Sequence, residues 1–328
     1  MKIFDEQIAR KPNRYPWTQE FIDAMWAGHW TPNEFDFKAD IHDFKTRLTP
    51  EEQQIVIRTL TAIGQIEIAV KTFWARLGDN LKHPGLYDLG VVMSSVEVIH
   101  NIAYEKLITV LGLQEQFEAN LKHGVIDGRV KYLKKYLSKE YTESKKQYLY
   151  SLILFTLFVE NISLFSQFYI ILWFGRYKNM LKDANQQVLY TKNEEVLHAQ
   201  IGVKLVNVIR KEYPELFDEE LEQKVIHEAK EAFKAESKIV DWILGDYQGE
   251  RINADILKGY IQYKVDESLT AIGYKELYNV NGQISRDFEW MNEETLGNNM
   301  TDFFFKRPTE YSKKSRVISG EELFDDGK

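Results

Sequence analysis

The chain contains no cysteine. That excludes disulfides, thiolate nucleophiles, cysteine-ligated zinc and iron–sulfur clusters, and leaves redox chemistry to oxygen and nitrogen ligands or aromatic side chains. Proline is scarce: there are seven, and five of them fall in the first 85 residues. The body from about 50 to 275 is therefore free of helix breakers over most of its length. It also has almost no period-2 alternation, which argues against a sheet. No basic tract stands out, and 42 Lys+Arg against 50 Asp+Glu give a net charge of −8, so no nucleic-acid partner is expected. The opening MKIFDEQIARK has no apolar stretch of signal-peptide type, and the expected compartment is the cytoplasm.

What is present is helix after helix. Thr49-Pro50-Glu51-Glu52 reads as a helix start, with an N-cap threonine, proline at the first helical position and glutamate two residues later. Helices are predicted at about 50–78, 84–112, 127–138, 142–181, 182–211, 218–246 and 253–272. No Pro/Gly/Ser-rich linker and no repeat of solenoid length divides them, so the reading is one all-α domain over 1–305. From about 278 the pattern changes. The end, KKSRVISGEELFDDGK, is too polar to pack, and 306–328 is expected to be a flexible tail.

Residues 148–175 are long and apolar enough to span a bilayer. Apart from tyrosines, their only ionisable side chain is Glu160, near the middle. A lone carboxylate at that depth, with no second span to pair with, argues for the enclosed central helix of a bundle. No membrane association is expected.

The chemistry lies in carboxylates placed where apolar residues would serve a core better. On 50–78, Leu60, Ile63, Val70 and Trp74 share a face centred on Glu67. On 84–112, Met93, Leu107 and Leu111 share a face with Glu97, His100 and Tyr104. Glu160 intrudes on 142–181, and Glu195 with His198 on 182–211. All but one have an ordinary alternative. Glu67 could pair with Lys71 at i+4, and Tyr104 could be a core tyrosine. Glu195 and His198 could belong to a solvated face, since neighbouring Lys192 and Lys204 suggest contact with water. Glu160 has no comfortable alternative, because a buried unpaired carboxylate costs roughly several kcal/mol or stays protonated. One Glu from each of two helices plus Glu-x-x-His from each of two others is the ligand pattern of a ferritin-like dimetal bundle. Carboxylate and imidazole ligation suits iron or manganese.

With these ligands in order, the chain resembles the radical-generating small (β) subunit of class I ribonucleotide reductase over nearly its whole length. The resemblance implies that Glu67, Glu97, His100, Glu160, Glu195 and His198 hold two metals. It implies Tyr104 at the radical-tyrosine position, Trp30 in HWTPNEFD as the electron-relay tryptophan, and Tyr311 in NNMTDFFFKRPTEY as the tail tyrosine that passes the radical between subunits. It implies a homodimer and a large (α) subunit that reduces ribonucleoside diphosphates with cysteines this chain lacks. Glu67 stands where tyrosyl-radical iron enzymes usually have aspartate, Lys71 follows one turn later, and Glu194 replaces the aspartate that links the relay tryptophan to a metal-bound histidine. Glu67 with Lys71 resembles the subgroup that uses two manganese ions activated by superoxide, in which the metal pair itself stores the oxidising equivalent. The alternatives are two iron ions with a Tyr104 radical, a mixed Mn/Fe pair, or a related oxidase or hydroxylase acting on a bound ligand.

Overall fold

The structure, a computed structural model, describes residues 1–137, 144–280 and 286–291, with only the backbone for 67–70 and 131–137. The expected tail over 306–328, and Tyr311 within it, lie outside the described residues. In chain order the helices are α1 Trp17–Ala27, α2 Lys38–His42, α3 Pro50–Ala75, α4 Leu77–Asn80, α5 Pro84–Leu111, α6 Gln114–Leu121 and α7 Gly124–Leu137. They continue with α8 Lys145–Leu154, a π-helical segment Phe155–Ser163, α9 Phe165–Lys178, α10 Lys182–Glu212, α11 Glu219–Leu244 and α12 Ala254–Ala271. Among the described residues the only β pairing is an isolated bridge between Gly249 and Ile252.

The helix starts follow from local chemistry. Thr49 accepts from the Glu52 amide at 3.2 Å while the Glu52 carboxylate accepts from the Thr49 amide at 3.0 Å, which satisfies two otherwise orphaned donors. Asp218 and Asn253 cap α11 and α12 in the same way, accepting from Leu221 and Ile256. Gly112 ends α5 in the left-handed region, where a side chain would be strained. At the far end of the sequence's site region, Asp40 accepts from the amides of Asp183 and Ala184, and Asp43 from that of Leu181. The N-terminal segment thus caps α10, the helix that carries Glu195 and His198.

Packing brings four elements together. α3 lies along α5, and α10 lies against α9 and the π segment, with α11 and α12 closing the bundle. Gly202 permits the approach of α10 to the π segment, since a methyl group there would overlap the Thr156 side chain. The apolar stretch is enclosed as expected: 89% of its most apolar window is buried.

Two expectations need correction. The helix predicted over 142–181 is three pieces, because the backbone winds as a π helix from Phe155 and breaks at Leu164. Inside the fold the loosened turn is satisfied by side chains. Ser163 donates its hydroxyl to the Phe158 carbonyl at 2.7 Å, and the buried Arg129 guanidinium donates to the Ser163 carbonyl while pairing with Glu236 at 3.0 Å. The second correction is Lys192, which does not meet water. It is 1% exposed and donates to the Met291 carbonyl at 3.0 Å. Lys204, two turns beyond Glu195, is exposed.

Candidate metal centre

The π segment supplies Glu160, α5 supplies Glu97 and His100, and α10 supplies Glu194, Glu195 and His198. Glutamate and histidine three residues apart share one helix face, so each Glu-x-x-His enters the core as a pair. Glu97, His100, Glu160, Glu195 and His198 are all fully buried. One ligand atom from each of Glu97, Glu160, Glu195 and His198 lies within 4.8 Å of the others. Glu67 is on α3, but its side chain lies outside the described residues.

The contacts are those of acceptors turned inward. His100 Nδ1 lies 3.2 Å from Glu97 Oε2 and 3.1 Å from Glu195 Oε1. His198 Nδ1 lies 2.8 Å from Glu97 Oε1 and 3.4 Å from Glu195 Oε2. Despite these approaches, Glu97 Oε1, Glu160 Oε2, both Glu195 oxygens and both His198 nitrogens lack hydrogen-bond geometry to any described group. Buried polar atoms left this way are costly, and several converging on one point define a place for cations.

The electrostatics agree. Burial pushes the Glu160 carboxyl well above its usual range, and the neighbouring charges of Glu195 and Glu97 push it further. Burial would lower the His198 pKa, but Glu97 and Glu195 outweigh it and raise it to about 10. Burial would raise Glu195, yet the close approach of His100, His198 and Glu160 holds it below the usual carboxylate range. The cluster recruits protons as counter-charges because three carboxylates share a dry interior.

Around the cluster, Glu194 joins two of the residues singled out in the sequence. Its Oε2 accepts from Trp30 Nε1 at 2.9 Å and lies 2.7 Å from His100 Nε2. With Nε2–H donated to Glu194, His100 Nδ1 carries the lone pair that faces Glu97 and Glu195. Trp30 stacks near His100, with ring centroids 6.3 Å apart. Its loop is fixed by Lys106 Nζ, which donates to the carbonyls of Pro32 and Phe35 at 2.7 and 2.8 Å. Tyr104 is buried one turn beyond His100, and it also lines a cavity of about 350 Å³ with Gly64, Asn101 and Phe117. Lys71 is half-buried, with Nζ 3.5 Å from Asn101 Oδ1, and Asn101 donates to the Glu97 carbonyl.

The sequence reading missed Trp74. It counted this residue as apolar face, but the indole of Trp74 donates to Glu160 Oε1. The available signal was its position two turns after Glu67 on the same face, where a donor meets the same cluster.

A family model for the ribonucleotide reductase small chain matches residues 7–285. The chain belongs to that family. Ribonucleotide reductase is an oxidoreductase, and the ferritin-like all-α fold and the core ligand cluster are those expected of its small chain. Similar proteins include a ribonucleoside-diphosphate reductase subunit beta of Chlamydia pneumoniae, 26% identical over 314 residues, covering 92% of this chain and 88% of the relative. A probable ribonucleoside-diphosphate reductase small subunit of Invertebrate iridescent virus 3 is 23% identical, covering 96% of this chain and 87% of its own length. Among solved structures, the ribonucleotide reductase R2 subunit of Clostridium botulinum matches with a TM-score of 0.80 at 18% identity, over 90% of this chain and 94% of that one. The dimanganese(II)-NrdF of Streptococcus sanguinis matches with a TM-score of 0.72 at 12% identity, over 87% and 99%. For a ribonucleotide reductase small chain, the donor set fits a metal centre: hard carboxylates and imidazoles, buried, preformed and short of counter-charge.

Proposed function

We propose that this small chain generates the oxidising equivalent for a ribonucleoside-diphosphate reductase, whose large subunit reduces ribonucleotides to deoxyribonucleotides. Glu67, Glu97, His100, Glu160, Glu195 and His198 would hold two metal ions, manganese in the favoured reading. Bound there, the metal pair would supply the one-electron oxidising power that side chains of this type lack. The observation that carries the reading is the continuous hydrogen-bonded link from a buried ligand histidine through Glu194 to Trp30, because it joins an oxidant site to an oxidisable aromatic.

The protein residues have distinct tasks in this reading. Glu194 orients His100 so that Nδ1 faces the cluster, and it accepts the indole proton when Trp30 is oxidised. Trp74 fixes Glu160 by donating to one of its oxygens. The enclosing aromatic and aliphatic wall excludes water and so preserves the oxidising equivalent. Lys71, beside Asn101 and the Glu97 turn, adds positive charge where a small anionic oxidant such as superoxide would be drawn. Tyr311 relays the equivalent onward, and Val317, Ile318, Leu323 and Phe324 of the tail dock on the large subunit. The working assembly is a homodimer bound to that subunit, acting in the cytoplasm.

A second reading, two iron ions with a radical on Tyr104, is favoured by the burial of Tyr104 one turn beyond His100. Metal analysis and EPR of protein matured in cells, with the Tyr104→Phe variant beside it, separate the two. The manganese reading expects two manganese ions per chain and substantial turnover in Tyr104→Phe. A tyrosyl signal that disappears together with turnover in that variant decides for iron. If Glu160→Ala and His198→Ala both retain two tightly bound metals, the site assignment itself is wrong.

A further inference from the structure

The turn that carries Glu160 is held by a charged group with no part in the route above. Arg129 on α7 is 1% exposed, and its guanidinium reaches four other elements. Nη1 donates to the Ala62 carbonyl of α3 at 2.8 Å, and Nη2 to the Gln167 side-chain oxygen of α9 at 3.1 Å. Nη2 also donates to the Ser163 carbonyl at the end of the π segment, and Nε pairs with Glu236 of α11 at 3.0 Å. Glu236 is as buried as its partner.

The winding itself makes the Ser163 carbonyl available. An unbroken α helix would direct the Gln167 amide to that oxygen, but the amide bonds the Leu164 carbonyl at 3.0 Å. The Ser163 hydroxyl meanwhile donates to the Phe158 carbonyl at 2.7 Å. Glu160 lies between these two anchored residues, two after Phe158 and three before Ser163. From α12, Ser268 Oγ accepts from the Asn161 side-chain amide at 2.7 Å. A buried ion pair is a poor device for stability alone, because well-packed apolar side chains of like volume often serve as well or better. Apolar side chains could not, however, satisfy a carbonyl released where a helix breaks.

We propose that Arg129, held by Glu236, is a positioning residue for the metal centre. It locks the π winding of Phe155–Ser163 and so sets where the Glu160 carboxylate meets Glu97, Glu195 and His198. The proposal rests on the metal-site reading above and adds what fixes that site from outside the cluster. Without the clamp the segment relaxes toward α winding, whose hydrogen bonds close one residue sooner. That change turns Glu160 about the helix axis, while the other ligands stay in place on α5 and α10. Metal binding on the side of the cluster that Glu160 serves is weakened, and the fold persists.

The test uses the full-length chain and manganese(II), with Arg129→Met/Glu236→Leu, Arg129→Lys and Glu160→Ala beside wild type. The double substitution removes both charges, so no lone buried ion remains, and its thermal midpoint is expected at or above that of wild type. Hydrogen exchange in the metal-free chain should be at least tenfold faster at the amides of Phe155–Ser163 and unchanged in α5 and α10. In titrations followed by EPR, one manganese ion should bind at least tenfold more weakly, and it should be the ion lost in Glu160→Ala. Arg129→Lys keeps a charge opposite Glu236 but replaces a planar fork of donors with a single point, so it should fold and show the same two defects. That variant decides the matter if the double one fails to fold. A purely structural role predicts lower stability with normal two-ion binding in whatever protein folds. Wild-type affinity for both ions, or wild-type exchange over Phe155–Ser163, in either folded variant would overturn the proposal. A wild-type chain that binds no manganese pair, or a Glu160→Ala chain that keeps both ions, would instead overturn the site reading on which it rests.

Discussion

Replacing Glu194 with glutamine separates two tasks that one oxygen performs. Glu194 Oε2 accepts from Trp30 at 2.9 Å and from His100 at 2.7 Å, in a side chain that is 5% exposed. Glutamine has the same shape and keeps one carbonyl oxygen for both donors, so neither donor is stranded and the fold should persist. The negative charge is lost. A hydrogen bond to a charged acceptor contributes about 1.5–3 kcal/mol and a neutral one about 0.5–1.5, so His100 loses about 1–2 kcal/mol of support for its cation-binding nitrogen. That corresponds to about a tenfold weakening of metal affinity, at the lower end of the roughly 10–100-fold seen when a partner of a metal-bound histidine is removed. Saturating metal should therefore restore full loading in Glu194→Gln. It should not restore turnover, because the amide cannot accept the Trp30 proton. The assays are calorimetric titration with manganese(II), then ribonucleotide reduction at full metal occupancy with the large subunit. Wild-type turnover in fully loaded Glu194→Gln would refute the proton role. Unchanged metal affinity would refute the coupling of Glu194 to the site through His100.

Three further outcomes test the surroundings. Gly202→Ala forces a methyl group into Thr156 and should destabilise the protein by about 1–3 kcal/mol in thermal or denaturant unfolding, with Thr156→Ser, which removes the crowding methyl, relieving part of the effect. Trp74→Phe keeps an aromatic ring in contact with Phe73 and Phe155 but removes the donor to Glu160, and should weaken metal binding without unfolding the chain; an unchanged binding isotherm counts against Trp74 as a support for Glu160. Asp40 has its pKa raised by burial, against the Ala184 and Asp183 amides that lower it, to about 6 from an ordinary 3.8. The folded state thus holds a proton that the unfolded chain releases in that window, so this group's contribution to stability is full below pH 3.8 and is lost as pH rises through about 6. The stability difference between wild type and Asp40→Asn should therefore change over that window and be level above it, as read by denaturant midpoints across pH.

The bundle and most of the buried acid and histidine cluster are legible in the sequence because both rest on helix periodicity. An acid on an apolar face can be read from spacing alone, and Glu97, Glu160 and Glu195 stand out in this way. Features that depend on contacts between helices were not legible. Trp74 looked like core because an indole is mostly apolar surface, and only the approach of the π segment reveals a use for its N–H. Lys192 looked like surface because its charge favours water in the absence of neighbours, yet a carbonyl from the Met291 turn reaches it. The π winding at Glu160 has no period of its own within a mostly apolar stretch, where most angular placements bury the same kind of side chain.

The same reasoning explains why the least comfortable residue was the most informative. Taking a carboxylate out of water is unfavourable by several kcal/mol even after relaxation, and this core holds Glu97, Glu160 and Glu195 together with Glu194 beside them. Pairing among themselves is no remedy, since each neighbour raises the difficulty of ionising Glu160. Without cations the cluster retains protons, on Glu160 and on His198, as its only counter-charges. Metal ions bound there would supply the charge that those protons approximate, and would match the inward-facing oxygen and nitrogen lone pairs that protons leave unpartnered. A core built only for stability would replace these groups with leucine or phenylalanine, as the rest of the interior does. Their retention at the junction of three helical elements, linked by hydrogen bonds to Trp30, identifies the interior as the working part of the molecule.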